Sequence, residues 1–494
     1  MNLKALIAPL FLSAVVSTAQ VTVTTFEGID ASTDPLSVYR VDPNGAVGTK
    51  QYLEWVDQAY QGFDKVTGAQ IWTQTQKAST PFVQNNLTDC ETSGGNGVIL
   101  FDHLALRWII GVRVGSPPPN GKGYFYCVAV SNTDDLTASN FAWYTYEVAL
   151  DPILTVGSLV GYPDYPRLAT WPDAYYATFD LQNPSSGFRT VGVAVCALDR
   201  NHMLTGAVAN PAQCFRYPQM PNNVNFLQHT LLPADIDGTT PPPTGTVESF
   251  VSIQNPTGTN TSSTQLNLWQ MHVDWNTPAN TTFTGPTPIT VAAYTPGCYI
   301  VSSPTNTYCV PEPSSSTTHD YIDSVGDRLM HRFAFRQFPN YQSYLVSQSV
   351  AVNSTRQTGI RWYELEPSGS TMTVANYGTI SPDNKYFRFV PSLAQDKVGN
   401  VAIGYSGSSS ALHPSIAGSY LNLPSNSNPT EFLILMGSAD VENTSFWGGY
   451  TSMTVDPVDD CTFWYVNEYL TTNQAGSTRT WRTRLANFKL RGCQ

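Results

Sequence analysis

The chain has 494 residues, with 25 Lys+Arg against 37 Asp+Glu and a formal net charge of −12; 13% of residues are charged, 41% hydrophobic and 12% aromatic. That balance repels phosphate backbones and no basic cluster offsets it, so nucleic acid is excluded as a partner. The apolar share is ample for a core, and the length suits one large all-β domain as well as several smaller ones.

Residues 1–19 read as a signal peptide. Lys4 supplies the positive start, Ala5 to Val16 the apolar stretch, and Ser17-Thr18-Ala19 a small-residue cleavage site. The apolar run is shorter than the ~20 residues a bilayer span needs. The expectation is therefore a secreted protein with no membrane span, maturing near Gln20, with residues 20–494 forming a single domain. Five acceptor triplets, at Asn86, Asn260, Asn280, Asn353 and Asn443, fit N-glycosylation in a secretory pathway. The eight cysteines, Cys90, Cys127, Cys196, Cys214, Cys298, Cys309, Cys461 and Cys493, form an even set expected to be disulfide-linked. Pairing by neighbours, 90 with 127, 196 with 214, 298 with 309 and 461 with 493, is the economical choice. No Cys-x-x-Cys and no His at ligand spacing from a Cys is present, so no metal or other cofactor is expected.

In chain order, a short helix is expected near Lys50 to Tyr60, and strands from Val98, Trp108, Tyr124, Phe141, Ala174 and Thr190. Further strands follow from Leu266, Ile289, Arg328, Ser343, Gly359, Val401, Glu431, Thr462 and Trp481. Gly, Pro and Ser/Thr-rich breaks separate them, an all-β rhythm. A weak repeat runs through the chain, in which a strand ends in Asp, a short turn follows and a second strand opens on an aromatic or aliphatic residue. Asp64, Asp102, Asp199, Asp396 and Asp456 mark its copies. The Asp accepts backbone N–H groups in a tight turn. Gaps of roughly 60 to 75 residues between several copies suit four-stranded blades. The expected architecture is a β-propeller of five to seven blades, six favoured, with stacked sandwiches as the rival.

For chemistry, there is no Gly-x-Ser-x-Gly elbow, and His413-Pro414-Ser415 lies in a loop with no acid identifiable beside it. Gly94-Gly95-Asn96-Gly97 reads as a turn beside Cys90 rather than a phosphate cradle. Three acids and an arginine crowd Asp320 to Arg328, where Asp327 and Arg328 are expected to pair across a turn. His331, three residues on, should face the opposite side in an extended strand. Aromatic segments place Trp269 near His272, Trp362 and Tyr363 beside Arg361, and Trp447 near Tyr450. Most such rings serve packing between blades. The functional reading is that Trp269, Trp362, Tyr363 and Trp447 wall a cavity with Asp327 and Arg328. Arg361, Tyr450 and His272 would then be the catalytic donors. Strand alternation allows only one of the pairs Arg361/Tyr363 and Trp362/Glu364 to point inward.

Several longer motifs carry a resemblance: Asp164-Tyr165-Pro166 with Trp171-Pro172-Asp173-Ala174-Tyr175-Tyr176, Leu232 to Gly238, His272-Val273-Asp274-Trp275, Asp323 to Met330, and Ser452 to Tyr465. Over most of the mature chain they resemble a group of secreted bacterial and fungal proteins that look like β-propellers. Within fungi the chain is also similar to the hetero-Diels-Alderases of tropolone-sesquiterpenoid pathways. That resemblance implies addition of an o-quinone methide, derived from a tropolone or phenol, across an alkene of a humulene-type sesquiterpene. It assigns no residue. A cycloaddition needs no nucleophile or metal, only a dry cavity that orients small apolar and aromatic partners and a donor to a carbonyl oxygen. The alternatives are a sialidase-like glycan hydrolase or lyase, built on Arg328, Arg361, Glu364 and Asp327, and a non-catalytic carbohydrate-binding propeller.

Overall fold

The computed structural model describes residues 21–35, 41–91, 95–115, 123–156, 159–184, 189–218, 230–256, 260–300, 308–314, 321–423, 426–442, 446–475 and 480–494. The signal segment, Asn443 and Asp320 lie outside the described residues. The expected strands form, most within a few residues of their anticipated bounds; those expected from Ile289 and Glu431 begin earlier, at Thr282 and Asn426.

Every expected turn aspartate behaves as a cap. Asp64 accepts from the N–H groups of Val66 and Thr67, Asp102 from Leu104 and Ala105, and Asp396 from Val398 and Asn400. Asp456 and Asp199 do the same for Val458 and His202. These turns fold the chain into successive four-stranded antiparallel units. Sheet 1 opens with Asn44–Val47, sheet 2 with Val98–Asp102, sheet 3 with Tyr162–Thr170, sheet 4 with Leu232–Ile236, sheet 5 with Met330–Gln337 and sheet 6 with Phe387–Gln395. Sheet 7 opens with Ser452–Val455 and takes its outermost strand, Val23–Asp30, from the other end of the described chain, paired antiparallel with Trp481–Lys489. Sheets 4 and 5 join through parallel pairing of Ala234 to Ile236 with Phe333 to Phe335.

The seven opening strands neighbour one another in chain order, and the seventh returns to the first, so they close a propeller-like ring. Seven such units among the described residues exceed the six favoured from the repeat, whose named copies fall in sheets 1, 2, 3, 6 and 7 and leave sheets 4 and 5 unmarked. Apolar clusters fill the gaps between adjacent sheets: Leu53, Trp55 and Trp108 between sheets 1 and 2, Tyr126 and Phe179 between 2 and 3, Trp362 and Tyr405 between 5 and 6.

The helix expected near Lys50 to Tyr60 is instead two strands, Gln51–Val56 and Ala59–Asp64. All of Gln51–Val56 is buried, so no polar face betrays the period. The period is nevertheless two: Leu53 and Trp55 enter one inter-sheet cluster, Tyr52 and Val56 another.

All four disulfides follow the neighbour pairing, Cys90–Cys127, Cys196–Cys214, Cys298–Cys309 and Cys461–Cys493. Cys196 and Cys214 sit directly opposite on paired strands of sheet 3. Asn86, Asn260, Asn280 and Asn353 are exposed, as glycan acceptors must be. Among the described residues no helix is long and apolar enough to cross a membrane.

Candidate functional site

The starts of the opening strands gather at one end of the ring, here called the mouth, and their ends gather at the other, the base. The base is a set of closed ion pairs. Arg200 holds Asp102 through Nε and Nη2 at 2.7 and 3.1 Å, Arg332 bridges Asp235 and Asp237 at 2.8 and 2.9 Å, and Arg336 grips Asp460 at 2.7 and 2.8 Å. Each positive charge there is matched, which is what buried ions require.

The mouth is matched less completely. In sheet 3 the pairing register shifts between Asp164 and Arg167, and Tyr165 adopts a positive φ of 51°. Such a bulge re-aims side chains at functional sites. Here it lays the Arg167 guanidinium over two rings, 3.6 Å from the centroid of Tyr165 and 4.1 Å from that of Tyr450. Arg167 is 1% exposed. Its Nη1 donates to the Pro166 carbonyl at 3.1 Å, while Nε and Nη2 are buried without a partner.

Around this core stand polar groups from other sheets. The Tyr165 hydroxyl donates to the Gly449 carbonyl at 2.8 Å, and the Gly449 N–H donates to Asp42, ahead of sheet 1. Glu468 of sheet 7 accepts from the N–H of Gly448, so two carboxylates hold the segment that presents Tyr450. Arg328 stacks on Tyr165 at 4.5 Å, pairs with Asp327 at 2.8 and 3.0 Å, and comes within 3.8 Å of Asp180. Asn96 ties two acids together, donating to Asp164 through Nδ2 at 2.9 Å and to Asp57 through its N–H at 3.3 Å.

Burial lifts the Asp57 carboxyl to about 7, with the Asp42 charge adding to the shift. Asp180 rises to about 6 and Glu468 to about 8, both chiefly from burial. His331 lies 6.3 Å from Tyr450, ring to ring; burial and then the Arg167 and Arg332 charges hold it well below its ordinary value, so it is neutral. Burial raises the Tyr450 phenol well above its ordinary value. Neutral donors and raised carboxyls beside an unmatched guanidinium form an arrangement able to bind an oxyanion and to move a proton.

Of the residues expected from sequence, the structure brings Tyr450, Asp327 and Arg328 together at this mouth. The predicted Asp327–Arg328 pair is present. His331 departs from the expected alternation: a register shift between Met330 and Ala334 breaks the period, and both Arg328 and His331 reach the Tyr165–Tyr450 rings. Arg361, Trp362 and Tyr363 lie on the third strand of sheet 5, outside the ring. Arg361 donates to Thr379 Oγ1, Trp362 packs toward sheet 6, and Tyr363 accepts from Gln348. Glu364 is held by Ser343 and Asn376, apart from Arg328. Trp269 is buried on the third strand of sheet 4, and His272 is exposed at that strand's end. Trp447 is buried beside the mouth segment, its indole N–H on Ser406 Oγ at 2.9 Å. The aromatic wall therefore does not assemble, because these rings fill separate inter-sheet gaps. His413 does have an acid beside it: Asp440, 27 residues on, meets Nδ1 at 2.6 Å, while Ser415 Oγ donates to the His413 carbonyl and is no nucleophile for that pair.

Sequence reasoning missed Arg167, Tyr165, Asp57, Asp42, Asn96, Asp164 and Asp180. The available signal was Arg167 itself, a charge inside the otherwise uncharged run Tyr165 to Thr170. Among the described residues no group of His, Cys, Asp and Glu is arranged to hold a metal.

No family model matches the chain. No curated protein matches it either. Solved structures similar to it include the catalytic domain of a GH62 α-L-arabinofuranosidase from Coprinopsis cinerea, at 11% identity over 81% of this chain and 92% of that one, TM-score 0.33. The Trypanosoma rangeli sialidase in complex with 2,3-difluorosialic acid matches at 10% identity over 67% of this chain and 45% of that one, TM-score 0.36. A PL25 ulvan lyase matches at 9% identity over 90% and 91%, TM-score 0.33. Likeness at this level carries no information on activity.

Proposed function

We propose that the protein is a secreted seven-bladed β-propeller enzyme that hydrolyses a glycan at the mouth of its ring. Asp57 carries this reading. Its carboxyl, lifted to about 7, keeps its proton at mildly acidic pH in a half-buried site, while Asp164 stands one residue away through Asn96. A protonated carboxyl with a second carboxyl close by is the pattern of acid and base in glycoside cleavage. Asp57 gives its proton to the glycosidic oxygen as the C–O bond breaks. Asp164 takes a proton from the water that adds to the anomeric carbon. Four disulfides and four exposed glycan acceptors support export.

Cycloaddition is the second reading. One observation favours it: the Arg167 edge and the Tyr450 hydroxyl are donors without an acceptor, as a quinone methide carbonyl would require. The scattering of Trp269, Trp362 and Tyr363 opposes it.

One preparation tests both. Release of reducing ends from a glycan panel, falling about a hundredfold or more in Asp57→Asn with the fold intact, is the expected result. Enantioenriched adduct from an o-quinone methide precursor and a humulene-type alkene, unchanged in Asp57→Asn and without glycan cleavage, would replace the first reading with the second. Glycan binding without release would make the protein a carbohydrate-binding module.

A further inference from the structure

Three arginines of this protein share one habit. Arg200, Arg328 and Arg388 each turn the Nε–Nη2 edge of the guanidinium onto a carboxylate: Asp102 at 2.7 and 3.1 Å, Asp327 at 2.8 and 3.0 Å, Glu431 at 2.5 and 3.0 Å. That edge carries two parallel N–H groups whose spacing matches the two oxygens of a carboxylate. Arg167 presents the same edge, and no described carboxylate meets it. Nε and Nη2 are the two nitrogens without a partner, while Nη1 is used by the Pro166 carbonyl. No described carboxylate pairs with Arg167, although Asp42, Asp164, Asp180 and Asp327 all serve other donors nearby or an adjacent arginine.

A buried guanidinium without a counterion is costly. The faces of Tyr165 and Tyr450 offset part of that cost through cation–π attraction. The Tyr450 hydroxyl lies close enough to interact with the guanidinium but makes no well-aligned hydrogen bond to the two N–H groups, and a neutral phenol supplies no counter-charge. His331, neutral and with Nε2 also unpartnered, borders the same space and adds no negative charge. Tyr450 covers the guanidinium from a Gly448–Gly449 segment, and Gly449 is partly exposed, so the cover is the part of the wall that an incoming group can displace.

We propose that the Nε–Nη2 edge of Arg167 is a receiving fork for the carboxylate of an external ligand, entering at the mouth under Tyr450. The ligand is a carboxylated molecule, either a uronic-acid unit of a glycan or a free organic acid. This rests on the preceding section only for the mouth being the ligand site, not for hydrolysis.

Binding is measured by calorimetry and thermal shift on the full protein, with galacturonate, galactose and benzoate as probes. The expected result is saturable stabilisation by galacturonate and none by galactose. Arg167→Lys, which keeps the charge but loses the fork, should weaken binding about ten- to a hundredfold. Equal binding of benzoate assigns the fork to organic acids, whereas galacturonate alone assigns it to an acidic sugar. If Arg167→Lys does not fold, Tyr450→Ala replaces it and should speed association severalfold by uncovering the edge. No response to any carboxylate, or one unchanged in both variants, overturns the proposal. Galacturonate binding without glycan cleavage keeps the fork and removes the hydrolase reading. Cleavage of neutral glycans with no carboxylate effect removes the fork and keeps the hydrolase.

Discussion

Arg332 and Arg167 both rise from opening strands of one ring, and their partners separate scaffold from site. Arg332 is 4% exposed and satisfied by Asp235 and Asp237, and Asp235 also accepts from Thr170 through Oγ1 at 2.8 Å. Removing it leaves two carboxyls buried without their cation. Arg332→Met is therefore expected to cost about 3–5 kcal/mol in chemical denaturation, against little effect on carboxylate binding at the mouth. A fall of under 1 kcal/mol would mean that water enters the base of the ring. Sequence alone could not rank the two arginines, since both stand in strands among apolar neighbours. The difference lies in which distant carboxylates arrive beside them.

At the scale of elements, the bulges do what regular strands cannot. Register shifts at Asp164/Arg167, Met330/Ala334 and Phe389/Ser392 fall in the opening strands of sheets 3, 5 and 6, near the mouth. A period-two reading places His331 and Arg328 on opposite faces; the bulge brings them together. The ring itself is closed by Val23–Asp30. That strand pairs with Trp481–Lys489, and its Ile29 donates its N–H to Glu54 of sheet 1 at 2.9 Å and receives Thr483 Oγ1 on its carbonyl at 2.8 Å. Deleting residues 21–30 leaves Trp481–Lys489 as a bare edge and Glu54 without its donor. The expected outcome is a melting midpoint lower by roughly 5 °C or more, with oligomers in size-exclusion chromatography. A monomer of unchanged midpoint would show that sheet 7 closes the ring with three strands.

For the whole molecule, buried carboxyls set the pH range. Glu54 and Glu468 are raised to about 8, Asp57 to about 7 and Asp180 to about 6, each first by burial. In the unfolded chain these groups ionise near pH 4, so between there and their folded values the native state holds more protons. Stability is then full below pH 4 to 5 as far as these groups are concerned, and falls as pH rises toward 8. Each such group contributes a loss of ~1.4 kcal/mol per pH unit across its own window. Thermal melts from pH 5 to 8 should therefore decline, and Glu54→Gln should flatten the decline; a midpoint that rises toward pH 8 would refute it.

From sequence came the all-β class, many of the strands though not the inner strands Asn44–Val47, Tyr162–Thr170 and Leu232–Ile236, the aspartate-capped turns and the four disulfides. All of these are local: turn chemistry acts within a few residues, apolar runs announce their strands, and the cysteine pairs span 11 to 37 residues. Ring closure was decided by tertiary structure, because its last sheet joins strands more than 400 residues apart. The mouth was decided there too. Asp42, Asp57, Asn96, Arg167, Arg328 and Tyr450 come from different sheets and their flanking segments, and no spacing records that they meet. Nor does any spacing show that the buried Nε–Nη2 edge of Arg167 meets no described carboxylate, since that is a property of the assembled neighbours and not of the residue.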